Sequence, residues 1–454
     1  MPVLARQPAF TVSRGQFPDD FVFGTSTSAY QIEGSSFGGC GLSHWDTFSA
    51  TPGNVVRSEN GSIACDHYHR WEGDLDLVRD AGLQAYRFST SWARVMPKGC
   101  GAINQEGLDF YDKLVDGMLE RGIAPHLTLY HWEMPSALEA IGGWRNRDVT
   151  DHYADYAQAV TKRLGDRVAS IATFNEPWCI TWYSHYYGAH APGLRDICAA
   201  SRVAHFVPLA HSKAIAAMRA LGLKNLGIVC NFEHISPLDN SPGSIKAAKV
   251  AEGIYNRWFL GGLFKAEYPA DIVDLIGTHL PSGWEQDMAD IAAPLDWLGI
   301  NYYTRALISE GDTQPGNALP IQVGNKGDLP RTEMDWEVYP EGLGNILEWI
   351  RDTYTGDLPL AITENGMANK DKLVNGAVDD QERIAYLDAH FKQALAAIDK
   401  GIPLRAYFVW SLMDNFEWAL GYDKRFGMVH VDFDSFERTP KASYHALRTM
   451  LSAL

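Results

Sequence analysis

Two glutamates stand where the chain changes character. Glu176 lies in Thr173-Phe174-Asn175-Glu176-Pro177, a β-branched and aromatic run closed by a proline. Pro177 cannot donate to a sheet ladder and biases the residue before it towards extended backbone, so a strand has to stop at Glu176 with that residue extended. Glu364 lies in Ile362-Thr363-Glu364-Asn365-Gly366, where Asn-Gly marks a turn directly after the carboxylate. Two facing carboxyl groups are equipped to cleave a glycosidic bond, with one protonated for the leaving oxygen and the other ionised at the anomeric carbon. Their surroundings must then push the two pKa values apart. A solvated strand-end residue is the bland alternative for either glutamate alone; two in equivalent places argue against it.

The elements that must position them follow from the hydropathy pattern. Short β-branched and aromatic runs fall at 21–28, 85–90, 124–132, 170–177, 225–232, 296–303, 358–366 and 404–412. Between them, apolar residues recur at three- and four-residue steps over stretches such as 106–121, 150–164, 203–221 and 381–400, which predicts helices. Gly82, Gly122, Gly165, Gly222 and Gly401 follow helical stretches and are expected as left-handed C-terminal caps. Parallel neighbours need a crossover, so strand then helix repeated eight times predicts an α/β fold, a closed (β/α)8 TIM barrel. Strands 4 and 7 then lie on opposite sides of the ring, with both glutamates at its C-terminal rim. The length of 454 residues suggests about three domains at ~150 residues each. No linker or repeat divides the chain, and the expectation is instead one catalytic barrel domain over 1–454, with the surplus in loops after strands 1, 4, 5 and 6.

Lys plus Arg number 39 against 56 Asp plus Glu, a net charge of −17. That balance excludes a nucleic-acid backbone or an anionic membrane surface as partner, since both need clustered positive charge. Six cysteines at irregular spacing read as reduced thiols. The first 25 residues carry charges and no apolar core, and no apolar run approaches ~18 residues, so a cytoplasmic location is expected. The 14 Trp, 20 Tyr and 19 Phe are many. They either fill the core or offer flat platforms to a ligand.

The motifs jointly resemble family-1 glycoside hydrolases, the β-glucosidase and β-galactosidase family, over nearly the whole chain. Matching stretches are Phe23-Gly24 through Ser28-Ala29-Tyr30-Gln31-Ile32-Glu33-Gly34, Tyr86-Arg87-Phe88-Ser89, His131-Trp132, Asn175-Glu176-Pro177, Asn301-Tyr302-Tyr303, Thr363-Glu364-Asn365-Gly366 and Trp410-Ser411-Leu412-Met413-Asp414-Asn415-Phe416-Glu417-Trp418. The resemblance implies a retaining double displacement, with Glu364 as nucleophile and Glu176 as general acid, then base, on β-glucosides such as cellobiose, and on β-galactosides and β-fucosides. Retention requires carboxyl groups only ~5 to 5.5 Å apart. Arg87 and Tyr303 are expected to hold Glu364 ionised, with Asn301 supporting it, and the charge of Glu364 to raise Glu176.

The same resemblance assigns Gln31, His131, Trp132, Asn175, Glu417 and Trp418 to the glycone, Trp410 to its stacking floor, and Trp336 and Asn231 to the leaving group. It also implies a cis Trp410–Ser411 peptide. Relatives acting on 6-phosphosugars lack the acidic residue at the Glu417 position and use a Ser-Lys-Tyr set. Here Ala419-Leu420-Gly421-Tyr422-Asp423-Lys424 follows, and a carboxylate repels phosphate, so unphosphorylated β-glycosides and oligosaccharides are the expected small-molecule partners. Departures from the family pattern are Glu133-Met134-Pro135, Cys179 after Pro177-Trp178, and Phe436-Glu437-Arg438; none touches a proposed catalytic group. Cys179 and Cys230 sit near strand ends where they could line the leaving-group site, but the favoured expectation is that they are small buried apolar residues. No cofactor is implied. A metal site built on Asp66-His67-Tyr68-His69 is disfavoured because these histidines lead into a helix, not out of a strand. A non-catalytic sugar-binding protein would have little reason to keep both glutamates with Arg87 and Tyr303.

Overall fold

The computed structural model describes residues 9–310, 319 and 326–453. Eight parallel strands close on themselves in sequence order: β1 (Val22–Ser26), β2 (Ala85–Ser89), β3 (Ala124–Tyr130), β4 (Ser170–Asn175), β5 (Leu226–Pro237), β6 (Trp297–Ile308), β7 (Leu360–Asn365) and β8 (Leu404–Trp410). Each is followed by a helical crossover, among them Gln105–Glu120 after β2, Val149–Leu164 after β3 and Gln381–Asp399 after β7. Helices cover the outer face of the ring, so strands such as β2 are buried along their whole length, Arg87 and Ser89 included. The fold is the (β/α)8 barrel expected from the pattern. A short antiparallel pair, β9 (Val429–Val431) with β10 (Arg438–Pro440), lies in the loop after β8.

Four features differ from the sequence expectations. First, β5 and β6 run on as a parallel pair to Pro237 and Ile308, past the positions where their apolar runs end, because beyond the rim His234, Arg305 and their neighbours are only partly buried. Second, the helix after β4 begins at Ile197 and not at 203: the Asp196 carboxylate accepts the backbone N–H groups of Cys198 and Ala199 at 2.7 and 3.2 Å and caps it. Third, Gly165 has φ −66° and is right-handed, whereas Gly82, Gly122, Gly222 and Gly401 have φ of 70 to 80° as left-handed caps require. Gly165 is instead needed for closeness, since a Cβ there would sit 2.5 Å from the Thr161 carbonyl oxygen. Fourth, β4 and β7 are not diametrically opposed. Only β5 and β6 separate them.

The loops after β1, β4 and β5 fall where the surplus length suggested, while 311–318 and 320–325 after β6 lie outside the described residues. After β1 the chain makes 40 residues of turns and short helices before His67, and four α-helices lie between β5 and β6. His67 opens the helix His67–Asp80 and its Nδ1 is bound to Asp74 at 2.8 Å inside the protein. Among the described residues no group of three or more His, Cys, Asp or Glu is arranged to hold a metal ion, and no helix is long and apolar enough to cross a membrane. All six cysteines are free thiols.

Candidate active site

The ladders slip near the C-terminal rim, where the site residues sit. Register shifts fall between Ala172 and Asn175 on β4 and between Ile300 and Asn301 on β6, and beyond the second of these Asn301 pairs with Glu364. Such irregularities re-aim side chains at a barrel mouth. Glu176 itself has φ +51°, so the extended conformation expected before Pro177 is not adopted. Proline disfavours right-handed backbone in the residue before it. The chain must nevertheless turn at once into the helical segment Cys179–Tyr187, and the left-handed region is the conformation that does so. Trp132 and Trp418, with φ of 70° and 52°, are left-handed as well. Non-glycine residues held in this region are characteristic of functional sites. Asn365-Gly366 owes its glycine to crowding: a Cβ on Gly366 would lie 1.8 Å from the Trp410 carbonyl oxygen.

These side chains surround a cavity of about 360 Å³ at the barrel mouth. Glu176, Glu364, His131, Trp132, Trp410, Glu417 and Trp418 line it, as do Tyr303, Trp336 and Asn231. Gln31, Asn175, Asn301 and Arg87 stand behind that wall. Gln31 is fully buried, with its amide spent on Asn415 Oδ1 at 3.0 Å and the Phe416 carbonyl at 2.8 Å.

A continuous chain of hydrogen bonds joins the two carboxyl groups. Arg87 Nη1 donates to Glu364 Oε1 at 2.6 Å and its Nη2 to Asn175 Oδ1 at 2.7 Å. Asn301 Nδ2 donates to Asn175 Oδ1 at 3.1 Å and to Glu176 Oε1 at 2.7 Å. Tyr303 donates to Glu364 Oε2 at 2.7 Å. Asn301 serves both carboxyl groups: its amide donates to Glu176, and it is the least of the influences that oppose burial at Glu364. The Thr363 hydroxyl donates to Asn301 Oδ1 at 2.7 Å and turns the amide nitrogen towards β4.

The electrostatics also need one correction. Burial is the largest influence on Glu176, and the Glu364 charge the second; together they push it up to about 8. Burial raises Glu364 too, so it is not depressed outright. Arg87 and Tyr303 oppose that rise by direct hydrogen bonds, while Glu176 is bonded to a neutral amide and a thiol and feels Arg87 only as a more distant charge. Glu364 thus has the stronger partners for its ionised form. Burial first, then Glu364 and Glu176, push a third carboxyl, Glu417, up to about 8. His131 is kept neutral by burial and by Arg87; its Nε2 faces the Asn175 amide at 3.1 Å and its Nδ1 has no partner among the described residues.

The aromatic residues sort cleanly. Trp410 lies 5.7 Å from the His131 ring with planes 19° apart, and the Trp410–Ser411 peptide is cis. Trp336 packs on Tyr303 at 5.4 Å. Trp45, Trp92, Trp144, Trp178, Trp182 and Trp258 are core. The segment carrying Glu417 and Trp418 is tied down by Asp414, which accepts from Lys441 and Arg425, each at 2.6 Å.

Sequence reasoning missed several groups in the wall. Cys179 is buried but lines the cavity, and its thiol donates to Glu176 Oε2 at 3.1 Å, so it touches a proposed catalytic group after all. Its position three residues after Glu176 at a helical start was the available signal. Cys230 is buried and does not line the cavity. Glu233, pushed up to about 7 by burial, reaches the cavity from the extension of β5 beside Tyr255. Nothing local marked either residue.

The sequence matches the model of glycosyl hydrolase family 1 over residues 13–453. It is 42% identical over 432 residues to β-glucosidase A of Thermotoga maritima, covering 94% of this chain and 96% of that one. It is 45% identical to a β-glucosidase of an Agrobacterium species, covering 94% of each chain. A bifunctional β-D-glucosidase/β-D-fucosidase of Bifidobacterium breve is 42% identical over 96% of this chain and 98% of its own. The solved structure of the family 1 β-glucosidase from Thermotoga maritima superposes with a TM-score of 0.91 at 42% identity, over 96% of this chain and 98% of the other. The same enzyme has been solved in complex with isofagomine lactam and with castanospermine.

Proposed function

Since the chain belongs to glycosyl hydrolase family 1 and is a glycosidase, we propose that it is a retaining β-glucosidase acting through residues 1–454 as one catalytic unit, with Glu364 as nucleophile and Glu176 as acid, then base. The observation that carries this reading is the unequal partnering of two buried carboxyl groups. Glu364 has a guanidinium and a phenol; Glu176 has an amide and a thiol.

That asymmetry divides the labour. Ionised Glu364 attacks the anomeric carbon while Glu176 gives its proton to the leaving oxygen, and the glycosidic C–O bond breaks. Esterification removes the charge of Glu364, the second-largest influence raising Glu176. Glu176 becomes the stronger acid and its carboxylate persists. It then takes a proton from water as the water oxygen attacks the anomeric carbon, and the ester bond breaks to restore both groups.

His131, Trp132, Trp410, Glu417 and Trp418 supply the glycone side, with Gln31 and Asn175 behind them; Trp336 and Asn231 face the leaving group. No Lys or Arg lines the cavity among the described residues, which together with Glu417 favours uncharged sugars over 6-phosphosugars. The relative from Bifidobacterium breve supports extending the proposal to β-fucosides, and β-galactosides test the same hydroxyl contacts.

The experiment is hydrolysis of an aryl β-glucoside by wild type, Glu176→Ala and Glu364→Gly, with the first-formed anomer read by NMR. The β-anomer should appear first. Glu364→Gly should lose turnover and regain activity with azide. Inverted product, or wild-type turnover by Glu364→Gly, would overturn the mechanism.

A further inference from the structure

The carboxyl of Glu176 has one side-chain partner on each oxygen, and the two differ in what they can do. On Oε1 the partner is Asn301 Nδ2 at 2.7 Å. Its orientation is fixed, because the Asn301 carbonyl oxygen accepts from Thr363 and its second N–H is spent on Asn175. An amide nitrogen only donates. Oε1 is therefore an acceptor in every protonation state, and the proton that Glu176 delivers as an acid belongs on Oε2. Opposite Oε2, at 3.1 Å, stands Cys179 Sγ.

A thiol both donates and accepts, weakly in each sense. The sulfur is polarised from its other side: Asn231 Nδ2 approaches it at 3.8 Å, with the same nitrogen held by the Tyr255 hydroxyl at 2.9 Å. A donor behind the sulfur leaves the S–H free to point at the carboxylate. Local geometry enforces the contact, since Cys179 opens the helical segment after Pro177 and its N–H donates to the Glu176 carbonyl at 3.0 Å.

We propose that Cys179 is a positioning residue for Glu176: its S–H holds Oε2 when the carboxylate is ionised and yields when Oε2 carries the proton, so one side chain serves both the acid and the base step. The proposal rests on the assignment of Glu176 as acid/base. The thiol itself is not a nucleophile here. Burial, with the Glu176 charge second, pushes it well up, and it stays protonated. The titratable and charged groups facing this pair are Glu364 from β7, Arg87 from β2, Glu417 after β8, Cys230, Glu233 and Tyr255 from the β5 side, Tyr303 from β6, His131 after β3 and Tyr183 on its own segment. Among the described residues, only the thiol reaches Oε2.

The test is the pH profile of kcat/KM for an aryl β-glucoside with wild type, Cys179→Ala, Cys179→Ser and Glu176→Ala. A donor to the ionised form lowers a carboxyl pKa, so its loss must raise it. Cys179→Ala should move the alkaline limb up by about half a pH unit, corresponding to about a threefold change in the protonation equilibrium. Cys179→Ser, which keeps an ambivalent and stronger donor, should return the limb to the wild-type position or below. The position of a limb does not depend on how much enzyme folds. An unmoved limb in Cys179→Ala overturns the proposal, as does an equal shift in Ala and Ser, which would trace the effect to packing. Retention of the alkaline limb by Glu176→Ala overturns the acid/base assignment itself and the role of the thiol with it. Loss of that limb in Glu176→Ala with no effect of Cys179→Ala overturns the thiol role alone.

Discussion

Arg87 Nη1 lies 2.6 Å from Glu364 Oε1, in an ion pair that spans 277 residues of sequence and leaves the two side chains 3% and 4% exposed. So deeply withdrawn a carboxylate would gain a proton without a paired cation, and the nucleophile role proposed for it would depend on this contact.

Arg87→Met should therefore move the acid limb of the kcat/KM profile to higher pH, because Glu364 loses its main opposition to burial. Turnover at neutral pH should fall by about 10³-fold, from about 4 kcal/mol of lost charge stabilisation. Arg87→Lys keeps a charge but not the fork that also holds Asn175, and should recover only part of the loss. An acid limb unmoved in Arg87→Met would refute the pairing's role.

Asn301 makes the complementary prediction. Its amide donates to Glu176, so Asn301→Ala should raise the alkaline limb by removing a donor to the ionised form, and leave the acid limb nearly in place. The opposite pattern in a full pH profile would return Asn301 to the service of the nucleophile.

Glu417→Gln tests the third buried carboxyl. If Glu417 accepts sugar hydroxyls as proposed, exchanging a carboxyl for an amide should cost about 1.5 to 3 kcal/mol, or ten- to a hundredfold in kcat/KM for the glucoside. A 6-phosphoglucoside should remain unhydrolysed, since the substitution brings no cation into the cavity. Kinetics on both substrates decide it.

Asp74 predicts a change in stability without a change in specificity. Its carboxylate accepts from Arg438 at 2.9 and 3.0 Å and faces His67 Nδ1 at 2.8 Å, with 1% exposure. Burial raises its pKa, but His67 and Arg438 outweigh burial and hold it below the ordinary value. The stabilisation is thus present above pH ~4 and is lost as pH falls through the lowered value. Asp74→Asn should cost about 3 to 5 kcal/mol by breaking a buried pair. Thermal melts from pH 3 to 7 should show the variant differing least at the acid end, with KM unchanged.

Most of the barrel was legible before any contact was known. Strand runs and helical periodicity are local, and each of the eight strands falls within or across its expected run. The errors lie at ends, where local signals compete. Asp196 outbid the apolar pattern for the start of a helix, and Gly165 served closeness instead of a left-handed cap. The wall of the cavity was legible through the family resemblance more than through physics. Glu233 stayed hidden because a carboxylate on an alternating strand carries no pattern of its own, and Cys179 was marked only by its place three residues after Glu176.

The sequence by itself determined that two glutamates end two strands of a parallel barrel, because proline and Asn-Gly stop strands wherever the rest of the chain goes. Which of the two is ionised, and by whom, was decided by tertiary structure alone. Arg87 reaches Glu364 across 277 residues and Asn301 reaches Glu176 across 125. Such contacts depend on ring closure and on register shifts at the rim, which no local period encodes. The left-handed backbone of Glu176 belongs to the same class, set by the turn the chain must make into Cys179–Tyr187 and not by Pro177 alone. Burial does the rest, since the pKa of a carboxyl depends on everything packed around it.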